Sequence, residues 1–251
     1  MNASAEQIHQ SLQTVVQLRQ LRADNPPLRA ANAAVKRFQA QRFQATYPDL
    51  LLSSRYRAAA QFFLTKLYGD NDYAERDQQF ARIAGTIVKL FPQTVVNTAA
   101  ALTQVHALTE QLDDAMAHSY LALGFDSTSN TAASETALYI AAWRRVADPV
   151  ARQQQLDIVL ALGQSLNALT RKPGLRTLLK LMRGPAVAAG LESLQQFLES
   201  GFDAFQTMRG ADEFLKLIAE RETDWIKCLF DDDAVACETR LAMLLTNSRA
   251  I

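Results

Sequence analysis

Apolar residues recur at spacings of three and four along most of the chain, and no Val/Ile/Thr-rich run alternates with period two between turn residues. The pattern predicts an all-α fold, a compact multi-helix bundle of about ten helices. Prolines and glycines place the boundaries. Asn25-Pro26-Pro27 ends a first helix, Tyr47-Pro48-Asp49 a second and Tyr68-Gly69-Asp70-Asn71 a third. Asp72 with Glu75 has capping-box spacing and starts a helix at Tyr73 that runs to Phe91. Phe91-Pro92 opens a long helix to about Leu123, Asp148-Pro149 pairs an N-cap with a first-turn proline, and Gly184-Pro185 and Gly210 mark further ends. The longest polar stretch, 124–134, is the one place for a hinge, and residues 1–251 are expected to form a single helical domain.

Composition narrows the class. The 251 residues are 49% hydrophobic, with 26 Lys+Arg against 26 Asp+Glu, which excludes disorder driven by net charge. Cys228 and Cys237 have no nearby histidine to complete a zinc site, so reduced thiols are expected. No basic segment with an apolar core opens the chain and no stretch of about 20 apolar residues occurs, so a soluble cytoplasmic protein is expected. Charge is nonetheless segregated: residues 1–66 carry +6, 67–157 carry −5, 158–191 carry +5 and 192–251 carry −6. Complementary docking of helices accounts for that alternation without a partner.

The densest aromatic segment runs from Arg55 to Gly69. At about 100° per residue, Tyr56, Ala60, Phe63 and Leu67 share a stripe, with Leu64 and Tyr68 beside it and Phe62 opposite. A helix apolar around most of its circumference is a central element, or the wall of an aromatic-lined pocket. Phe62-Phe63-Leu64-Thr65-Lys66-Leu67-Tyr68, together with Arg55-Tyr56, Gly69, Asp72-Tyr73, Arg76-Asp77, the 181–185 run Leu-Met-Arg-Gly-Pro and the 210–215 run Gly-Ala-Asp-Glu-Phe-Leu, resembles the bacterial FFLEELY-motif proteins. That resemblance implies no known activity. Thr65 and Lys66 replace the two glutamates of the motif, so chemistry built on that carboxylate pair could not operate here.

Four polar constellations remain. His106, Glu110, Asp114 and His118 recur every four residues, as metal-binding bundles use, yet the row spirals away from the apolar stripe of Leu102, Val105, Leu108, Leu112 and Met116, and no Glu-x-x-His occurs in the chain. No metal and no cofactor is therefore expected, with His106 and Glu110 the only inner candidates. Arg76, beside Asp77, and Arg221, between Glu220 and Glu222, both fall on apolar stripes, so each needs a carboxylate or a ligand anion. Arg176, Lys180 and Arg183 face away from Leu175, Leu178, Leu179 and Met182. That helix covers the core with its leucines, or lies on a membrane surface or an anionic partner. Gly201, inside the stripe of Leu194, Phe197, Phe202 and Phe205, marks a close helix approach.

No Gly-rich phosphate loop, nucleophile motif or nucleic-acid signature accompanies these groups. The expected role is binding of a protein partner, or of a small apolar or anionic ligand, without nucleic acid. Tyr56, Tyr68, Arg76, Asp77 and Arg221 are the ligand-contact candidates. A helical enzyme with those residues around one pocket, or a peripheral membrane protein, is the alternative.

Overall fold

Residues 3–67, 73–90, 93–127 and 132–248 are described by a computed structural model. Among them the chain forms thirteen α-helices and no strand. These are α1 Ala3–Ala23, α2 Pro26–Thr46, α3 Pro48–Leu52, α4 Arg57–Phe62, α5 Ala74–Leu90, α6 Gln93–Ala122 and α7 Ala132–Val146. There follow α8 Pro149–Thr170, α9 Leu175–Leu181, α10 Arg183–Ala188, α11 Glu192–Met208, α12 Asp212–Asp231 and α13 Ala234–Ser248. A π-helical turn, Phe63–Leu67, continues α4.

Local chemistry sets the boundaries. The side chain of Asn25 accepts from Leu28 N at 3.1 Å and that of Asp148 from Ala151 N at 2.9 Å, each ahead of a first-turn proline. Arg209 and Gly210, at φ of 53° and 128°, end α11 in the left-handed region. The expected break at Gly184-Pro185 falls earlier, at Met182, because Pro185 lacks only an N–H that the first turn of α10 would leave unpaired. Of the capping box, Asp72 lies outside the described residues; α5 begins at Ala74.

The longest helix, α6, is the axis of the bundle, with α1, α2, α7 and α8 packed along it. One buried cluster joins α4, the π turn, α8, α11 and α12 around Phe63, Phe205 and Phe214. A second joins α2, α6, α7, α12 and α13 around Phe38, Tyr120 and Tyr139; a third joins α1, α5 and α6 around Ile8 and Phe80. As the aromatic pattern predicts, Tyr56, Phe62 and Phe63 are buried in the first cluster. Gly201 is the close approach expected of it: a Cβ there would sit 3.0 Å from the Phe62 ring. The expected hinge, 124–134, includes residues 128–131, which lie outside the described residues; α6 and α7 on either side of it pack together.

One expectation about α9 is overturned. None of its residues is buried, and Leu178, Leu181 and Met182 are 43%, 69% and 38% exposed. The leucines do not cover the core. Arg176 and Arg183 instead turn toward α11, where Arg176 meets Asp203 at 2.7 Å and both arginines meet Glu199. The carboxylate is the stronger attractor, since a charge-assisted contact fixes the helix face that a wheel assigns to solvent.

Candidate functional site

The sequence candidates that the fold brings together lie where α1, α5 and α6 meet. Asp77, 4% exposed at its side chain, accepts from Arg19 Nη2 at 3.0 Å and from Arg76 Nε and Nη2 at 3.2 and 3.0 Å. His106 Nε2 lies 3.0 Å from Oδ2, the oxygen that Arg19 also reaches, while Arg76 takes Oδ1. Arg76 is sandwiched between the rings of Tyr73 and Phe197, at 4.3 and 4.8 Å. Burial pushes the Asp77 carboxyl upward, but the hydrogen bond and charge of His106, with Arg76 and Arg19, outweigh it and hold the group at about 2. An ionised carboxylate thus fixes an imidazole at the wall of a cavity.

That cavity, lined by Arg76, Asp77, Phe80, His106, Thr109 and Phe197 among others, has a volume of about 40 Å³. Sites for metabolite-sized ligands run to roughly 300–1,000 Å³. The space suits a few waters at most. An Asp–His pair can orient an imidazole for proton transfer, but the cavity beside it, at about 40 Å³, is far below the size of a metabolite site.

The other candidates lie elsewhere. The Tyr56 hydroxyl donates to Glu213, with Arg55 over its ring at 4.8 Å. Arg221 makes a two-pronged pair with Asp49, at 2.7 and 2.8 Å, and donates to Thr46 O at 3.0 Å. Its side chain is 30% exposed, although Phe214, Ile218, Trp225 and Cys228 on the same stripe are buried. Neither Tyr56 nor Arg221 lines the Asp77 cavity. Tyr68 lies outside the described residues.

The His106 to His118 row also resolves into ion pairs. Glu110 is buried and clasped by Arg22 and Lys36, Asp114 by Arg22, while His118 stays exposed beside Asp114. The wheel expects Asp114 on a polar outer face; that face is covered by α1, whose Arg22 supplies the missing charge. Burial pushes Glu110 up, and Lys36 and Arg22 more than reverse it. Among the described residues no group of three or more His, Cys, Asp or Glu is arranged to hold a metal ion.

These contacts realise the charge alternation. Basic side chains of 1–66 meet acidic ones of 67–157 through Arg19–Asp77, Arg22–Glu110 and Lys36–Glu110. The 158–191 block meets 192–251 through Arg176 and Arg183 on Glu199, whose carboxyl is held near 2 chiefly by the Arg183 hydrogen bond. Sequence reasoning missed a further polar group, Arg42, Arg152, Tyr139, Trp143 and Glu222, around a second cavity between α2, α7, α8 and α12. The stripe test that flags Arg76 would have found both arginines: Val35, Phe38 and Arg42, and Arg152, Leu156 and Val159, stand at helical spacing.

Among the described residues no helix is long and apolar enough to cross a membrane. A family model, Domain of unknown function (DUF8198), matches residues 18–236, and the chain belongs to that family. No curated protein and no solved structure matches it.

Proposed function

We propose that this member of the DUF8198 family is an interaction module whose α9–α10 face docks an acidic, apolar-faced segment of a partner protein. One observation carries the reading. Leu178 and Leu181 of α9 and Met182 at its C-terminal cap stand at i, i+3 and i+4, and Val187 on α10 is 59% exposed, so large apolar side chains crowd ten residues of surface. Charge specifies the partner. Arg176 and Arg183 are engaged by Glu199 and Asp203, whereas Arg171, Lys172 and Lys180 around the apolar face are exposed. Acidic residues flanking apolar ones complement that surface.

A metabolite-binding role has less support, because the two interior cavities near the buried arginines are about 40 Å³ each. A membrane surface fits less well than a protein. The helix spans seven residues, and three available cations contribute only roughly 1 kcal/mol each at an anionic bilayer.

The test is photo-crosslinking in living cells from a photoreactive side chain at position 181, with and without Lys180→Glu. The expected adduct is a protein whose cross-linked segment carries Asp or Glu beside apolar residues, lost on charge reversal. Adducts with lipid alone, with a second copy of the chain, or unchanged by Lys180→Glu would overturn the reading.

A further inference from the structure

We infer that Cys228 and Cys237 are a reversible disulfide site, oxidised by a low-molecular-weight disulfide of the glutathione class and stapling α12 to α13. Both are free thiols, each 1% exposed, and their sulfurs lie 2.9 Å apart. A bond of about 2.05 Å differs from that separation by less than about 1 Å. The fold holds the pair in place. Only Asp232 and Asp233 separate the two helices. Arg144 of α7 donates to Leu229 O at 3.0 Å and to Asp232 O at 2.6 Å, and Asp233 accepts from Val235 N and Ala236 N at 3.0 and 3.1 Å. Both sides of the turn are therefore pinned. Cys237 stands one turn into α13, and Cys228 continues the buried stripe of Phe214, Ile218 and Trp225 on α12.

Buried cysteines commonly pack as small apolar side chains, and Trp225, Leu229 and Leu241 nearby suit that role. Two features go beyond packing. The sulfurs meet each other across the junction of two helices, and each has a cation at hand. Arg240, paired with Asp224 and stacked 4.4 Å from the Trp225 ring, interacts with Cys228, while the charge of Arg144 favours the thiolate of Cys237. Burial opposes that thiolate more strongly, so exchange runs through openings of α13, whose outer side at Val235, Thr239 and Met243 is exposed. One cysteine thiolate attacks a sulfur of the small disulfide, forming a mixed disulfide and releasing one small thiolate. The second cysteine thiolate attacks the protein sulfur of that mixed disulfide; its S–S bond breaks, the protein disulfide forms and the second small thiolate leaves. Two electrons pass from the pair to the oxidant, and the two cysteine protons end on the released thiols.

The site is distinct from the α9–α10 face and stands independently of it. The experiment equilibrates the full chain in glutathione buffers of stepped redox ratio, with and without unfolding urea, then quenches with acid, alkylates the remaining thiols and reads the intact mass. The folded chain is expected to lose two hydrogens without retaining glutathione, with an exchange constant at least about tenfold larger than that of the unfolded chain. By linkage the oxidised chain should then melt at a higher temperature than the reduced one, a rise absent from Cys228→Ser and Cys237→Ser. Refolding from urea in the same buffers reaches the equilibrium from the exposed side, so slow access to the buried thiols does not mask the result. An exchange constant no larger than the unfolded chain's, a stable mixed disulfide on one cysteine, or a disulfide that lowers the unfolding temperature would overturn the assignment.

Discussion

Replacing Asp77 by Asn tests whether the α1–α5–α6 junction is held by a charged carboxylate. The change keeps the volume but removes the charge that Arg19, Arg76 and His106 surround at 3.0–3.2 Å. One face of the new amide would present N–H to N–H. The drop from 3.8 to about 2 corresponds to about 2 kcal/mol of native-state stabilisation at 1.36 kcal/mol per pH unit. Stranding partly buried guanidinium groups adds to this, toward the roughly 3–5 kcal/mol seen when one partner of a buried pair is deleted. Denaturant unfolding at about pH 7 should therefore show a loss of about 2–4 kcal/mol. The sign with pH follows from the depressed native value: stabilisation is full above about pH 5, falls as pH drops through 4, and is gone near 2. The gap between wild type and variant should narrow over that window by about 2 kcal/mol. A gap under about 0.5 kcal/mol at neutral pH, or one that stays constant into acid, would refute the reasoning.

Two glycines should respond in opposite directions: Gly85→Ala on α5 meets nothing within 4 Å and should gain about 1 kcal/mol of helix stability, whereas a Cβ at Gly163 would lie 2.4 Å from Leu215 Cδ2 and should cost about 1–3 kcal/mol by overpacking. Paired urea melts read both. Burial, then the neighbouring Cys228, pushes the Cys237 thiol up to about 12, so iodoacetamide at about pH 8 should label it only in the unfolded chain; stoichiometric labelling of the native protein by mass spectrometry would contradict that. Arg221→Gln breaks a pair whose members are 30% and 52% exposed, so melts should shift by at most about 1 kcal/mol, and a larger loss would mean a deeper role for this arginine.

The helices and their stops were legible because caps, prolines and spacing of three and four act within a few residues. The pairing of Arg76 with Asp77 was legible for the same reason. Asp49 as the partner of Arg221 was not, since the two are 172 positions apart. The wheel also misplaced Asp114 and the leucines of α9. It reports a direction around one helix, while burial depends on which element arrives there: α1 brings Arg22 over the polar side of α6, and Glu199 holds Arg183 against α11 although that arginine stays exposed. The π turn that follows α4 has no local sequence signature of comparable strength to a proline or a cap.

The most direct test of the docking face is a methyl NMR titration of the full chain with a synthetic peptide of the segment cross-linked from position 181. Saturable shifts should centre on the methyls of Leu178, Leu181, Met182 and Val187, and Lys180→Glu should weaken them at least tenfold. Shifts centred on Val235 and Met243 of α13, or on the leucines around Asp77, would contradict the account.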